Sequence, residues 1–247
     1  MAKLIVGCGV VRLQFRYLDK RSAAIARVED VDRAAIGVHV VVVKVPDAVI
    51  KLARQKRQQE MQFAEDLLRR GHLEGDRSAE MMLRLADLYF QEGRDIYMTE
   101  METYESEFDA CFNNPNCDTE GMEPNNDRSK KWQQKSIRLY KNILKTYPQY
   151  RRADEATFYL ASALQDTDRP DEAVKDFSKL VKNYPQSRFT PDAYVMIGEY
   201  YFDNNNAYKA LLAYQKAAKY KNSPKYAFAL YKLAWCYYNV GEYGKSI

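Results

Sequence analysis

The chain has 247 residues, 46% of them hydrophobic and 29% charged, with a formal net charge of +4. That mix suits one or two folded domains or a short repeat array and excludes a disordered or collagen-like chain. No apolar run approaches the roughly 20 residues that a membrane-spanning helix needs, so no transmembrane segment is expected.

The mild total conceals an uneven distribution. Residues 1–57 hold 12 basic and 5 acidic side chains, residues 58–127 hold 5 and 18, and residues 128–247 hold 21 and 11. The C-terminal cations are mostly lysines spread over helix faces. A nucleic-acid footprint would gather them into one stripe, so no nucleic-acid partner is expected. The four Cys, at 8, 111, 117 and 236, follow no zinc spacing, and the two His, His39 and His72, lie far from the Cys pair. Neither His neighbours a Cys or carboxylate cluster, so no catalytic residue, metal ligand or cofactor site is expected.

Residues 1–46 form a leader of uncertain structure. The β-branched runs Leu4–Phe15 and Ile36–Val45 read as strands, but two lone strands make too little sheet for independent stability. Gly7-Cys8-Gly9 lacks the third glycine and the acidic residue of a dinucleotide loop. Ile5-Val6-Gly7-Cys8 has the look of a lipoprotein cleavage box, yet too few apolar residues precede Cys8 for the roughly 7–15 of a signal core. Residues 47–77 hold a helix that opens at Pro46-Asp47, follows Val49, Leu52, Phe63 and Leu67, and closes at Gly71 and Gly75.

From Ser78 the chain repeats itself. Met82, Leu85-Ala86, Tyr89 and Gly93 form a first-helix pattern that returns as Leu160-Ala161 and Leu164, as Ile197-Gly198 and Tyr201, and as Leu233-Ala234 and Tyr237. Ala161 to Gly198 is 37 residues and Gly198 to Ala234 is 36. A period in the mid-thirties with two helical patterns per unit predicts an all-α solenoid of stacked helix–turn–helix units. The second helix follows with its small residue 12 positions on, Ala161 to Ala173 and Gly198 to Ala210, and an aromatic four further, Phe177 and Tyr214. Residues 149–247 thus hold two complete units and a third that is cut off at Ile247, with Ser246 where the usual Ala would stand. An apolar face is then left for further repeats or self-association to cover.

The unit at 78–148 is interrupted. Its small residues, Ala86 and Ser136, are 50 apart, which leaves an insertion of 38 residues, about 94–131. Residues 95–127 contain ten Asp/Glu and no Lys or Arg. Ile96–Phe112 reads as helical, with Tyr97, Met101, Tyr104 and Phe108 at three- and four-residue spacing, and Asn113–Asp127, rich in Asn, Asp, Pro and Gly, as a loop. No regular calcium-binding spacing is present. Cys111 and Cys117 flank the start of the loop. A local disulfide, which would need an oxidising compartment, and a pair of free thiols both remain open.

Leu160-Ala161, Leu164, Ala173, Phe177 and Pro185, Tyr194, Ile197-Gly198, Tyr201, Ala210, Tyr214 and Ala217, and Leu230, Leu233-Ala234, Tyr237, Gly241 and Tyr243 together resemble the tetratricopeptide repeat (TPR). The likeness covers about residues 78–93 and 132–247. The ending Tyr184-Pro185-Gln186-Ser187 and the slightly long period resemble bacterial cell-envelope TPR proteins of the BamD and CpoB type.

The resemblance implies a right-handed superhelix that acts as a non-enzymatic adaptor, periplasmic or outer-membrane-associated, although no convincing export signal is readable. It also implies that first helices line a concave groove for a protein or peptide. Carried over by position, the groove candidates are Leu83, Asp87 and Phe90, then Phe158, Ser162 and Gln165, then Val195, Glu199 and Phe202, then Tyr231, Trp235 and Tyr238. An aromatic groove with Asp87 and Glu199 would suit an amphipathic helix or extended peptide with some positive charge. The alternatives are a truncated fragment of a larger TPR protein with a mainly structural role, in which Trp235 and Tyr238 await a following repeat, and a cytosolic TPR adaptor.

Overall fold

A computed structural model describes residues 2–6, 9–16, 25–27, 47–241 and 244. The chain divides into two units, Met1–Gln58 and Gln59–Ile247. The expected strand at Ile36–Val45, together with Cys8, His39, Tyr243, Ser246 and Ile247, lies outside the described residues.

In the first unit, strands β1 (Ala2–Val6), β2 (Gly9–Arg16) and β3 (Ile25–Arg27) form an antiparallel sheet in the order β1-β2-β3. The run Leu4–Phe15 is therefore not one strand. Val6 pairs with Gly9 and Leu4 with Val11, so the two halves of the run pair with each other. Helix α1 (Asp47–Arg70) begins in this unit and ends in the second.

Within the second unit the regular elements among the described residues are all helices. Met61 and Ala64 of α1 pack on Leu85, Leu88 and Tyr89 of the next helix, so the buried face of α1 is Met61, Ala64 and the partly buried Leu68. Phe63, which the sequence placed on the apolar face, is exposed. The helix stops where Gly71 adopts φ +68°, a conformation that costs glycine little.

Helix α2 runs unbroken from Gly75 to Phe112, 38 residues. Ile96–Phe112, expected to be helical, continues the same helix past Gly93 without a break. Gly93 serves packing. A Cβ on it would meet Gln133 and Trp132 at 3.0–3.3 Å, so the missing side chain lets α3 (Asp127–Thr146) lie close. Then follow α4 (Ala153–Asp166), α5 (Pro170–Asn183), α6 (Thr190–Asp203), α7 (Ala207–Ala217) and α8 (Tyr226–Asn239). Helices α2/α3, α4/α5 and α6/α7 pair as hairpins, and each hairpin packs on the next. The α4–α5 and α6–α7 turns reverse through Asp168 (φ 60°) and Asn205 (φ 56°), short polar residues that tolerate the left-handed region. Pro170 at the first helical position and the Asn206 side chain, accepting from the Lys209 N–H at 3.1 Å, start the second helices.

The hairpins interlock through one recurring contact. Tyr140, Phe177 and Tyr214 are fully buried, each four residues after the small residue of its second helix. Each such ring removes enough apolar surface from water to stabilise by about 2–3 kcal/mol. The Tyr214 ring lies where a Cβ on Gly198 would stand, with ring carbons 2.5–2.8 Å away, so only glycine fits there.

A second recurring contact ties hairpin to hairpin. Arg152, just before α4, bonds Glu80 of α2 and donates to Glu155 at 2.8 Å, while Arg188, just before α6, reaches Glu155 at 3.3 Å. The Tyr150 hydroxyl also donates to Glu80 at 2.5 Å. Glu155 stands in the first turn of α4, where the helix dipole favours it.

Candidate functional site

The first-helix residues expected to line a groove do not share one fate. Leu83 and Val195 are 0% and 2% exposed and Phe90 is 8% exposed. They are core, not groove lining. Leu83 and Phe90 sit in the main apolar cluster, with Phe90 and Tyr159 ring centres 6.4 Å apart, and Val195 packs with Ala217 and Ala229. Phe158 is half-buried, stacked on Phe189 at 4.7 Å and edge-on to Phe177 at 5.8 Å. The Ser162 hydroxyl donates to the Phe158 carbonyl at 3.0 Å. Gln165 is exposed at the rim of a small cavity, about 140 Å³, shared with Pro170, Phe177 and Tyr200.

The two acidic candidates face inward. Asp87 accepts a hydrogen bond from the Tyr140 hydroxyl at 2.8 Å, and burial pushes its carboxyl up to about 6. Glu199 accepts from the Tyr214 hydroxyl and pairs with Lys232 of α8 at 3.0 Å. The Lys232 ammonium lies 4.2 Å from the centre of the Phe202 ring, a cation–π contact that draws Phe202 into the same cluster. Burial and the Glu199 carboxylate hold the Tyr214 phenol well above its usual range.

Sequence reasoning missed this pairing, although its signal is legible once two positions are read together. The residue after the first-helix small residue is Asp87, Ser162 or Glu199. The matching second-helix ring is Tyr140, Phe177 or Tyr214. An acid occurs where the ring carries a hydroxyl and a serine where it does not. A buried phenol without an acceptor would cost about 1–3 kcal/mol, and the acid removes that cost.

Three further candidates, beside Gln165, are open to solvent. Tyr231, Trp235 and Tyr238 are 54%, 46% and 57% exposed. They share one stripe of α8 and, with Ala234, line an open hollow of about 320 Å³. Trp235 and Tyr238 meet edge-on at 6.1 Å. In α2 and α6 the equivalent stripe is covered by the hairpin's own second helix and by the next first helix.

Cys111 is bonded to Cys117, with Cα atoms 5.2 Å apart. Cys236 is a buried free thiol that burial pushes up to about 11, which suits packing and not nucleophilic chemistry. Among the described residues no group of three or more His, Cys, Asp and Glu is placed to hold a metal ion, and no helix is long and apolar enough to cross a membrane.

Two family models of the tetratricopeptide repeat match the chain, at residues 155–187 and 191–224. The α4–α5 and α6–α7 hairpins are therefore tetratricopeptide repeats, a fold that typically serves as a protein–protein interaction scaffold. Among solved structures, one of MamA is 28% identical over 49% of this chain and 66% of that chain, with a TM-score of 0.40. A second MamA structure is 29% identical over 49% and 61%, also at 0.40. The chain thus spans just under two thirds of those MamA chains. A kinesin light chain of Podospora anserina with TPR-like repeats is 14% identical over 79% of this chain and 87% of that chain, with a TM-score of 0.48. Comparison with curated protein sequences finds no match.

Proposed function

We propose that this TPR-containing chain is a non-enzymatic adaptor that holds a peptide or protein partner against the open stripe of α8. Tyr231, Trp235 and Tyr238 are its apolar anchors. The observation that carries this reading is the contrast between equivalent stripes. The stripe is covered by neighbouring helices in α2 and α6 and open in α8, where three aromatic rings face water around a hollow. Exposed rings that cluster about a pocket are the usual centre of a binding interface.

The partner that fits is an amphipathic helix or an apolar extended segment. A cation on it has no role here, because Asp87 and Glu199 already serve Tyr140, Tyr214 and Lys232. Nucleic acid is not the partner in this reading. We place the adaptor in an oxidising compartment, as in bacterial envelope assembly or maintenance at the periplasm or outer membrane. The bond between Cys111 and Cys117 supports that placement, since such bonds persist where thiols are not kept reduced. Thiol labelling in cells tests it directly. Protection of both thiols until a reductant is added is the expected result, and free thiols would refute the compartment.

A second reading has an observation of its own. The α6 stripe is covered by α7 and α8, so a further TPR hairpin would cover the α8 stripe in the same way. A photo-crosslinking residue at Tyr238 separates the two. Crosslinks to a separate protein, lost on Trp235→Ala with at least about a 30-fold drop in affinity, support the adaptor. Crosslinks only to further repeats of the same polypeptide overturn it.

A further inference from the structure

Helix α2 outruns its partner. The start of α3 meets α2 at Glu100, whose carboxylate accepts the Ser129 N–H at 3.3 Å, and residues 101–112 extend past it. That arm is held in place. Cys111 is bonded to Cys117, the Tyr104 hydroxyl donates to the Met122 carbonyl at 3.0 Å, and the side chains of Asn114, Asp118 and Asn125 accept N–H bonds within the returning loop. An arm so ordered loses little conformational freedom on docking.

Its outer arc is amphipathic. Phe108 and Phe112, one turn apart, stack at 6.4 Å, and Phe112 is 72% exposed. Glu105 and Asp109 share that arc, and neither has a cationic partner among the described residues.

The outer arc of α7 is its complement. Tyr208 and Leu212, also one turn apart, are 67% and 42% exposed. Lys209 and Lys216 share the arc and rest over the rings of Tyr201 and Tyr194, with no carboxylate partner among the described residues.

We infer that the arm of one copy docks on the α7 face of a second copy. Phe108 and Phe112 meet Tyr208 and Leu212, while Glu105 and Asp109 face Lys209 and Lys216. The wider field favours the same pairing, because residues 95–127 carry no cation and residues 128–247 are predominantly basic. The two surfaces differ, so the contact is heterologous. Each copy keeps one arm and one α7 face, and the product is a chain of copies or a closed ring. The α8 stripe takes no part.

Sedimentation velocity on the full chain tests this. At low salt, species heavier than the 28.8 kDa monomer are expected. They should be lost near 1 M salt, where screening acts within about 3 Å. Glu105→Lys with Asp109→Lys should give a monomer, as should Lys209→Glu with Lys216→Glu. An equimolar mixture of these two double variants should reassemble. Trp235→Ala should leave assembly intact. All these substitutions lie on exposed positions, and a circular-dichroism melt verifies each fold. Should a charge-reversed variant fail to fold, Phe112→Ser and Leu212→Ser give the same readout. A monomer at every salt concentration, or an oligomer that survives arm reversal, overturns the inference. Assembly lost only with Trp235→Ala would move the contact between copies to α8.

Discussion

The α2–α3 and α6–α7 hairpins are built on one plan and differ by 38 residues. Each sets a small first-helix residue against a buried tyrosine, and each gives that tyrosine a carboxylate one position on, Asp87 for Tyr140 and Glu199 for Tyr214. The first hairpin nevertheless has its second helix 50 residues away, beyond an arm, where the other needs 12. Pairing within a hairpin therefore depends on the interlock of side chains and hardly on the length of the connection, in keeping with the slow growth of loop-closure cost with length.

The comparison breaks most visibly at the tyrosines. Tyr140→Ala and Tyr214→Ala should each cost about 3–5 kcal/mol of stability in urea unfolding. If the interlock outweighs the connection, the two losses agree to within about 1 kcal/mol. A Tyr140→Ala loss below half that of Tyr214→Ala would show that the interrupted hairpin is the looser one.

Next in size is a dependence on pH. Burial raises the Asp87 carboxyl from 3.8 to about 6, against the opposing pull of the Tyr140 hydroxyl and Arg152. The folded chain therefore holds that proton more tightly than the unfolded chain. Between about pH 4 and 6 the Asp87 contribution to stability falls as pH rises, and above that it is flat. Asp87→Asn should remove this slope. The measurement is the difference in urea midpoint between wild type and Asp87→Asn across pH 4–7, and a difference that does not change over that range refutes the assignment.

The smallest effect sharpens the comparison by extending it. The α4–α5 hairpin has Ser162 and Phe177 where its neighbours have an acid and a tyrosine. Ser162→Glu and Phe177→Tyr, introduced together, should couple favourably by about 0.5–1.5 kcal/mol in a double-mutant cycle, the net worth of one such hydrogen bond. A coupling of zero would mean that the pair depends on its own hairpin and is not a property of the repeat.

Most of the helical architecture was legible because its signal is periodic. The small residues, the rings four positions beyond them and the Pro-containing stops recur in register. The continuity of α2 across Gly93 was not legible because a glycine in a helix has two readings, an end or a close approach. Only the position of Gln133 and Trp132 decides between them. The groove was less legible. Leu83, Phe90 and Val195 are the residue types of an apolar groove and equally of a core, and neighbours distant in sequence cover them. Glu199 looked like a ligand for a basic partner because its own partners, Tyr214 and Lys232, lie on two other helices. Gln165 and the α8 rings are the candidates that their neighbours leave exposed.

The turns at Asp168 and Asn205 carry one more consequence. They are the shortest closures that the two later hairpins use, each through a single left-handed residue. In the first hairpin that same junction opens into the whole acidic arm, while Ala86, Asp87, Ser136 and Tyr140 keep their places. The scaffold can thus grow in two independent directions. Adding hairpins extends the stack, and lengthening a turn extends one layer sideways without disturbing the layers beside it.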